Sequence, residues 1–219
     1  MEIIPLGLSA FLLKGKNASV ICDPYDPQMA GLKFPKHTTA HIVTVSHNHA
    51  DHNFVNVVED EPGSTKMVFQ GPGEYESRGV DITGIATFHD GKEGAERGGN
   101  TMYKIEIDGV SLLHCGDLGH KLTEEQEELV DAVDVMLIPV GGFFTIDAAA
   151  AVEVVTQLEP SIVIPMHYQR AGLNPQIFGN LAPVANFLKA IGCETIQPQA
   201  KFKVTRDSLP EETQVVVLE

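Results

Sequence analysis

Three cysteines, Cys22, Cys115 and Cys193, are all that 219 residues offer, and no two form a CxxC pair. An odd count without a spaced framework excludes a disulfide-stapled secreted domain and fits a reducing compartment. All three read as buried free thiols. Basic residues are equally scarce: 15 Lys and Arg against 30 Asp and Glu leave a net charge of −15. A sequence-independent nucleic-acid binder needs Lys and Arg to displace phosphate counterions, so the balance argues against one. It does not argue against an anionic small substrate, because bound divalent cations reverse the local field. No apolar run approaches the roughly 18 residues of a membrane span. The start, Met1-Glu2-Ile3-Ile4-Pro5-Leu6-Gly7, lacks the basic and long apolar regions of a signal peptide. A cytoplasmic protein is the expectation.

What is present has an ordinary soluble, globular composition, 43% hydrophobic and 21% charged, with chain enough for one domain and a large core. Strand-like runs come first: Ala10–Leu13, Val20–Cys22, Ile42–Val45 and Lys66–Gln70, then Gly79–His89. A loop rich in glycine and charge, Asp90–Asn100, follows. Thr101–Ile107 and Val110–Cys115 flank Asp108-Gly109, a strong hairpin signal. Helical patterns then appear. Thr123 with Gln126 makes a capping box for a helix reaching about Ala132. Asp147–Leu158 is Ala-rich, capped by Thr145 or Asp147 and ended by Pro160, and Leu181–Ile191 is closed by Gly192. Between and after them Val133–Val140, Ser161–Met166 and Val215–Leu218 read as strands. Strands followed by alternating helices and strands predict an α+β protein with mixed sheets covered by helices.

The densest chemistry lies in Ser46-His47-Asn48-His49-Ala50-Asp51-His52, directly after Ile42–Val45. Imidazole is a common ligand for zinc, copper, iron and nickel, and Asp adds an anionic oxygen. In an extended backbone His47, His49 and Asp51 share one face. His52 points elsewhere unless the chain turns, and a turning loop lets one short segment feed two adjacent metal positions. Functional groups sit where strands end and loops begin. Three more metal-competent residues occupy such ends: His89, Asp117 and His167. Seven candidates, His47, His49, Asp51, His52, His89, Asp117 and His167, suit two metals sharing one carboxylate with positions open to water or substrate. A single structural zinc needs only a tetrahedral set.

This ordered set, HxHxDH followed by a distant His, Asp and His, resembles the signature of the metallo-beta-lactamase superfamily. The resemblance extends to Val20-Ile21-Cys22-Asp23-Pro24 and His114-Cys115-Gly116-Asp117-Leu118-Gly119. Gly71-Pro72-Gly73-Glu74-Tyr75-Glu76, Pro139-Val140-Gly141-Gly142 and Pro165-Met166-His167-Tyr168 look like the small single-domain Zn-dependent hydrolases of the beta-lactamase fold, relatives of ascorbate-phosphate lactonase-like proteins. The resemblance implies an αββα sandwich over residues 1–219 with metals at one edge of two sheets. It implies that His47, His49 and His89 hold one metal, that Asp51, His52 and His167 hold a second, and that Asp117 bridges them. With His49 in the motif's second position, the chain is more similar to the hydrolases than to the diiron oxygen-reducing branch.

The implied chemistry is hydrolysis. Two divalent cations, zinc favoured over manganese or iron by the His-rich set, bring a water's pKa near neutrality. The resulting hydroxide attacks a small ester, lactone, thioester or phosphoester. Asp51 is expected to ligate, to orient the nucleophile and to carry a proton to the leaving group. A phosphodiesterase or nuclease is disfavoured by the acidic chain, and a non-catalytic metal-binding module is disfavoured by the complete ligand set. The sequence leaves oligomeric state open.

Other residues read more modestly. His114, inside a strand, falls on the face opposite Asp117 and reads as a core or supporting group. Asp23 divides equally between orienting a ligand His and capping the Pro24 turn. Tyr168 reads as a packed tyrosine, with donation to a developing oxyanion as its alternative. Gly141-Gly142 with Phe143 and Phe144 reads as a tight turn bearing an aromatic pair, with a substrate wall as its alternative. His37, His41 and His120 receive no role beyond local hydrogen bonding.

Overall fold

Alternation along the early strands divides their side chains between two cores. In β2 (Ala10–Lys14) Phe11 and Leu13 enter one apolar cluster while Ala10 and Leu12 enter another. The neighbouring strand β3 (Ser19–Cys22) divides in the same way, with Val20 and Cys22 opposite Ile21. This is the two-residue period of a sheet buried on both faces. The computed structural model describes residues 1–193 and 196–219.

β1 (Glu2–Gly7) precedes these strands, and α1 (Pro27–Ala30), β4 (Thr39–Ala40), β5 (Ile42–Val45), β6 (Glu59–Asp60) and β7 (Met67–Gln70) follow. Next come β8 (Gly73–Ser77), β9 (Val80–Phe88), β10 (Gly99–Ile107) and β11 (Val110–His114). The remainder alternates: α2 (Glu124–Val130), β12 (Val135–Pro139), α3 (Ala148–Leu158), β13 (Ile162–Met166), α4 (Pro175–Phe178), α5 (Val184–Ala190), β14 (Phe202–Lys203) and β15 (Gln214–Val215). One sheet runs β14-β1-β2-β3-β5-β7, the other β15-β13-β12-β11-β10-β9-β8, and β4 pairs with β6. Both large sheets are mixed. β3, β5 and β7 run parallel, as do β11, β12, β13 and β15, while the hairpin-linked strands are antiparallel.

The larger cluster joins Ile3, Phe11, Leu13, Val20 and Ile42 of the first sheet to Ile82, Met102, Leu112 and Leu137 of the second. It continues to Val154 of α3 and Phe187 of α5. The smaller cluster packs Leu12, Ile21, Val43 and Val45 against Ala30 of α1 and Phe178 of α4. Helices therefore cover the outer side of each sheet, which is an αββα sandwich. β12 and β13 contain only buried residues, as parallel strands covered on both faces do. Among the described residues no helix is long and apolar enough to cross a membrane.

Local signals act as the sequence predicts, with shifted ends. Thr123 and Gln126 form a reciprocal capping box, and Asp147, not Thr145, caps α3 by accepting from Ala150 N at 2.9 Å. Asp108-Gly109 closes the β10–β11 hairpin with positive φ at both residues. The predicted helix at Leu181–Ile191 starts at Val184, because Pro183 occupies its N-cap. The strand predicted at Val215–Leu218 is limited to Gln214–Val215, with Leu218 forming an isolated bridge to Gln199. Cys22 and Cys115 are buried and free, whereas Cys193 is only half-buried, a correction to the expectation for that thiol.

The sheets are tied together beside the end of β5. The Tyr103 hydroxyl donates to Val45 O at 3.0 Å, and Thr101 N donates to Ser46 O at 2.9 Å. These bonds fix the point from which the His-rich segment departs.

Candidate metal centre

The segment Ser46–His52 is not extended. It turns directly after β5, with His52 N and Asn53 N both donating to His49 O at 2.9 and 3.0 Å. The shared face of His47, His49 and Asp51 is therefore lost, and the segment divides. One donor atom each from His47, His49 and His89 lies within 4.8 Å of the others, and the same holds for Asp51, His52, Asp117 and His167. All seven candidate residues thus gather, supplied by the ends of β5, β9, β11 and β13. Asp117 Oδ2 stands between the groups, 3.3 Å from His89 Nε2 and 3.2 Å from His52 Nε2.

Backbone shape makes this convergence possible. Gly116 has φ +55°, and a Cβ there would overlap Asn100 and Ser46, so glycine alone fits the step from β11 to Asp117. Asn100 Oδ1 accepts from Asp117 N at 3.0 Å, while its Nδ2 donates to Cys115 O at 3.0 Å. His167 has φ +51° and passes so close to Gly141 that a Cβ on the latter would overlap the His167 carbonyl oxygen.

Asp23 supplies the organising charge. It is wholly buried, with φ +46° before Pro24. Its Oδ1 accepts from Ser46 N at 2.8 Å, and its Oδ2 accepts from Ser46 Oγ at 2.6 Å and from His52 Nδ1 at 2.7 Å. Since the Ser46 hydroxyl donates to Asp23, it accepts from His47 Nδ1, 2.9 Å away. One carboxylate therefore places protons on the Nδ1 atoms of both His47 and His52. The Nε2 atoms of both rings are left facing the cluster, as a metal-binding tautomer requires. Of the two readings for Asp23, orientation of a histidine is what the structure shows.

His114 takes another course. Its Nε2 donates to Ser9 O at 2.8 Å and its Nδ1 accepts from Gly116 N at 3.2 Å, so both ring nitrogens are engaged in the core. Tyr168 is packed, its hydroxyl donating to Leu218 O at 3.3 Å. His37 pairs with Glu59, His41 with Ser19, and His120 Nε2 accepts from Phe88 N. All three are local bonds.

Among the described residues, six buried polar atoms at the cluster make no hydrogen bond: His47 Nε2, His52 Nε2, His89 Nδ1, Asp117 Oδ1 and both ring nitrogens of His167, although the Nε2 atoms of His52 and His167 lie in ion-pair range of Asp117. Buried polar atoms are ordinarily satisfied, and leaving one unpaired costs roughly 1–3 kcal/mol. The electrostatics point the same way. Burial and the neighbouring His52 charge push His47 down to about 3, and burial lowers His89, so both rings are neutral, the form in which imidazole binds a metal. Burial opposes charge on Asp51 and Asp117, yet surrounding imidazoles hold both carboxyls far below their usual range. Conversely, and against burial, the carboxylates of Asp117 and Asp51 hold His52 and His167 above the usual imidazole value. A divalent cation would take the place of the protons that these ionised carboxylates recruit onto neighbouring rings. The donor set fits such ions.

A cavity of about 330 Å³ opens over the cluster, lined by His49, Asp51, His89 and Asp117. Met29, Phe144, Ile177 and Phe178 form an apolar wall, and Arg97 and Glu96 belong to its rim. Phe144 thus contributes to the wall while Phe143 is 54% exposed, so the aromatic pair, T-shaped at 4.7 Å, serves both readings given to it. Sequence reasoning missed Met29, Arg97, Ile177 and Phe178. The helices bearing three of them carry no motif, and Arg97 sits in a loop that reads only as glycine and charge.

Comparison with known proteins follows the same lines. The sequence model of a family described as the beta-lactamase superfamily domain matches residues 2–167. A Thermococcus onnurineus protein named as a UPF0173 metal-dependent hydrolase is 32% identical over 187 residues, covering 74% of this chain and 82% of its own. An Alkaliphilus metalliredigens protein of the same name is 31% identical over 194 residues, covering 77% and 85%. A solved Thermotoga maritima structure assigned to the Zn-dependent hydrolases of the metallo-beta-lactamase superfamily superposes with a TM-score of 0.79. It is 33% identical and covers 99% of this chain and 97% of its own.

Proposed function

The chain belongs to the metallo-beta-lactamase superfamily, and from that premise we propose a metal-dependent hydrolase with a dinuclear centre acting on a small ester, lactone, thioester or phosphoester. The observation that carries this reading is the convergence, beneath an open cavity, of six buried donor and acceptor atoms that make no hydrogen bond. His47, His49 and His89 would hold one ion, Asp51, His52 and His167 the other, with Asp117 shared. Imidazole-rich ligation favours zinc, with manganese or iron as substitutes. Bound divalent ions supply Lewis acidity, polarising a substrate oxygen and lowering the pKa of water into the neutral range.

The chain's own residues provide the rest. Asp23 and Ser46 keep the Nε2 atoms of His52 and His47 directed at the centre. Asp51 both lines the cavity and approaches His52 and His167, at 3.5 and 3.7 Å. From there it orients the attacking oxygen and passes a proton to the leaving group. Met29, Ile177, Phe178 and Phe144 exclude water from the reacting bond. The cavity's volume suits a small molecule. The excess of 30 acidic over 15 basic residues disfavours a polynucleotide. Free cysteines, two of them buried, suit a reducing, cytoplasmic setting.

A chromogenic panel of esters, lactones, thioesters and phosphoesters tests the proposal on metal-loaded protein beside Asp51→Ala and His49→Ala. The expected result is turnover of at least one class, reduced about 100-fold or more by Asp51→Ala. A fully metal-loaded protein inert toward the whole panel would make this a binding module instead. Oligonucleotide cleavage abolished by Asp51→Ala would make it a nuclease.

A further inference from the structure

We infer that Arg97 is the substrate's anion site: the molecule hydrolysed here carries a carboxylate or phosphate held by this guanidinium, a short spacer away from the scissile bond. The inference rests on the proposed function for the cavity as the substrate site and for the metal cluster as the place where the bond is cleaved.

Among the described residues Arg97 is the one Lys or Arg that lines the cavity. In a chain with twice as many acidic as basic residues, it forms no ion pair with any acid among the described residues. Its Nη2 donates to Phe143 O at 3.1 Å, and its guanidinium carbon lies 5.9 Å from the centre of the Phe144 ring. Guanidinium has five donors in a planar fork suited to carboxylate or phosphate. A single carbonyl and an aromatic face occupy little of that capacity while fixing its orientation. The other charged group on this rim, Glu96, is paired with Lys92 Nζ at 2.6 Å instead of with Arg97.

The loop bearing Arg97 is built to hold it. Asp90 is buried, and its carboxylate accepts from four backbone groups: Lys92 N at 2.8 Å, Gly94 N at 3.0 Å, Glu96 N at 3.0 Å and Arg97 N at 2.7 Å. His89 N, in turn, donates to Gly98 O at 3.0 Å. The Arg97 backbone is thus pinned to the same strand end that presents His89. Such a scaffold preorganises a charged donor instead of leaving it free in solvent.

Position selects the substrate class further. The Phe144 ring has the Arg97 guanidinium over its face and lies 6.4 Å centre to centre from His167. Arg97 and the cluster therefore border the same aromatic ring and the same cavity, so one small molecule can reach both. A molecule with its only anionic oxygens at the scissile bond would leave Arg97 unused. One with a hydrolysable bond, an apolar spacer against Phe144 and Phe178, and a remote carboxylate or phosphate uses every surface.

Calorimetric titration of metal-loaded protein with phenylbutyrate and its neutral isostere phenylbutyramide tests this. Wild-type protein is expected to favour the carboxylate by about tenfold, as a charge-assisted pair allows, with the preference shrinking as salt rises. Arg97→Met should reduce the ratio to within about twofold, and Arg97→Lys, which keeps charge but loses the fork, should fall between. No preference in the wild type overturns the inference. So does a preference that survives in Arg97→Met, since the metals would then be taking the anion. An Arg97-dependent preference in a protein inert toward the chromogenic panel would support the anion site while sinking the hydrolase reading.

Discussion

Replacing Asp23 with asparagine changes one buried atom and should weaken both metal positions at once. In the native protein Asp23 accepts three hydrogen bonds, from Ser46 N, Ser46 Oγ and His52 Nδ1. An amide offers one oxygen and one NH2 group. If its oxygen stays on Ser46 N, the NH2 group faces His52 Nδ1–H and the Ser46 hydroxyl. Both must then accept, which moves the ring protons of His52 and His47 onto the Nε2 atoms that face the cluster. If the amide flips, the NH2 group opposes Ser46 N–H. Either orientation forfeits at least one buried charge-assisted bond, about 1.5–3 kcal/mol, and a lost orienting partner lowers metal affinity about 10–100-fold. Competition against a chromophoric chelator measures that affinity. Thermal melts in EDTA measure the metal-free fold separately. Ser46→Ala divides the effect, cutting the relay to His47 while leaving the Asp23–His52 bond, so its loss should be confined to one metal. If Asp23→Asn binds both ions within about threefold of wild type, the tautomer argument is wrong, since the lost bond alone predicts more.

Two further perturbations test the scaffold. Gly141→Ala drives a methyl into the His167 carbonyl oxygen, a backbone atom that cannot rotate away. It should cost about 1–3 kcal/mol of stability and reduce metal occupancy, and an unchanged melting temperature with full occupancy would contradict that packing. Asp90 concerns acid stability. Burial opposes its ionisation, but backbone N–H bonds from Arg97, Lys92, Glu96 and Gly94 hold its carboxyl down at about 2. A depressed folded value stabilises the protein above the unfolded Asp pKa of about 3.9, and that contribution is lost as pH falls through the folded value. Asp90→Asn should flatten this part of the profile in denaturant melts of metal-free protein between about pH 4 and 2. Identical profiles for both proteins would exclude the loop anchor.

The strands that border the site were the most legible elements. Ile42–Val45 keeps its predicted bounds as β5, and the rule that functional groups follow strand ends picks out His89, Asp117 and His167. Patterns with a single burial face or a capping pair declare themselves locally. β1 did not, because Pro5 breaks the strand signal. It is tolerated because β14 pairs only with Glu2 and Ile3, leaving the edge beyond them free. β8 was equally opaque: an edge strand of exposed glutamates has no apolar alternation to read. Asp23 remained undecided in the sequence since its bonds span to Ser46 and His52, a tertiary fact. The cavity wall was illegible for the same reason. Met29, Phe144 and Phe178 approach one another only through the docking of α1 and α4 on the first sheet.

Metal content per chain reads out the proposed pair of ions without any substrate. Protein saturated with zinc and freed of excess ion, measured by mass spectrometry of the element against protein concentration, should retain about two ions per chain. One tightly held ion, or none, would contradict a dinuclear centre built from His47, His49, Asp51, His52, His89, Asp117 and His167.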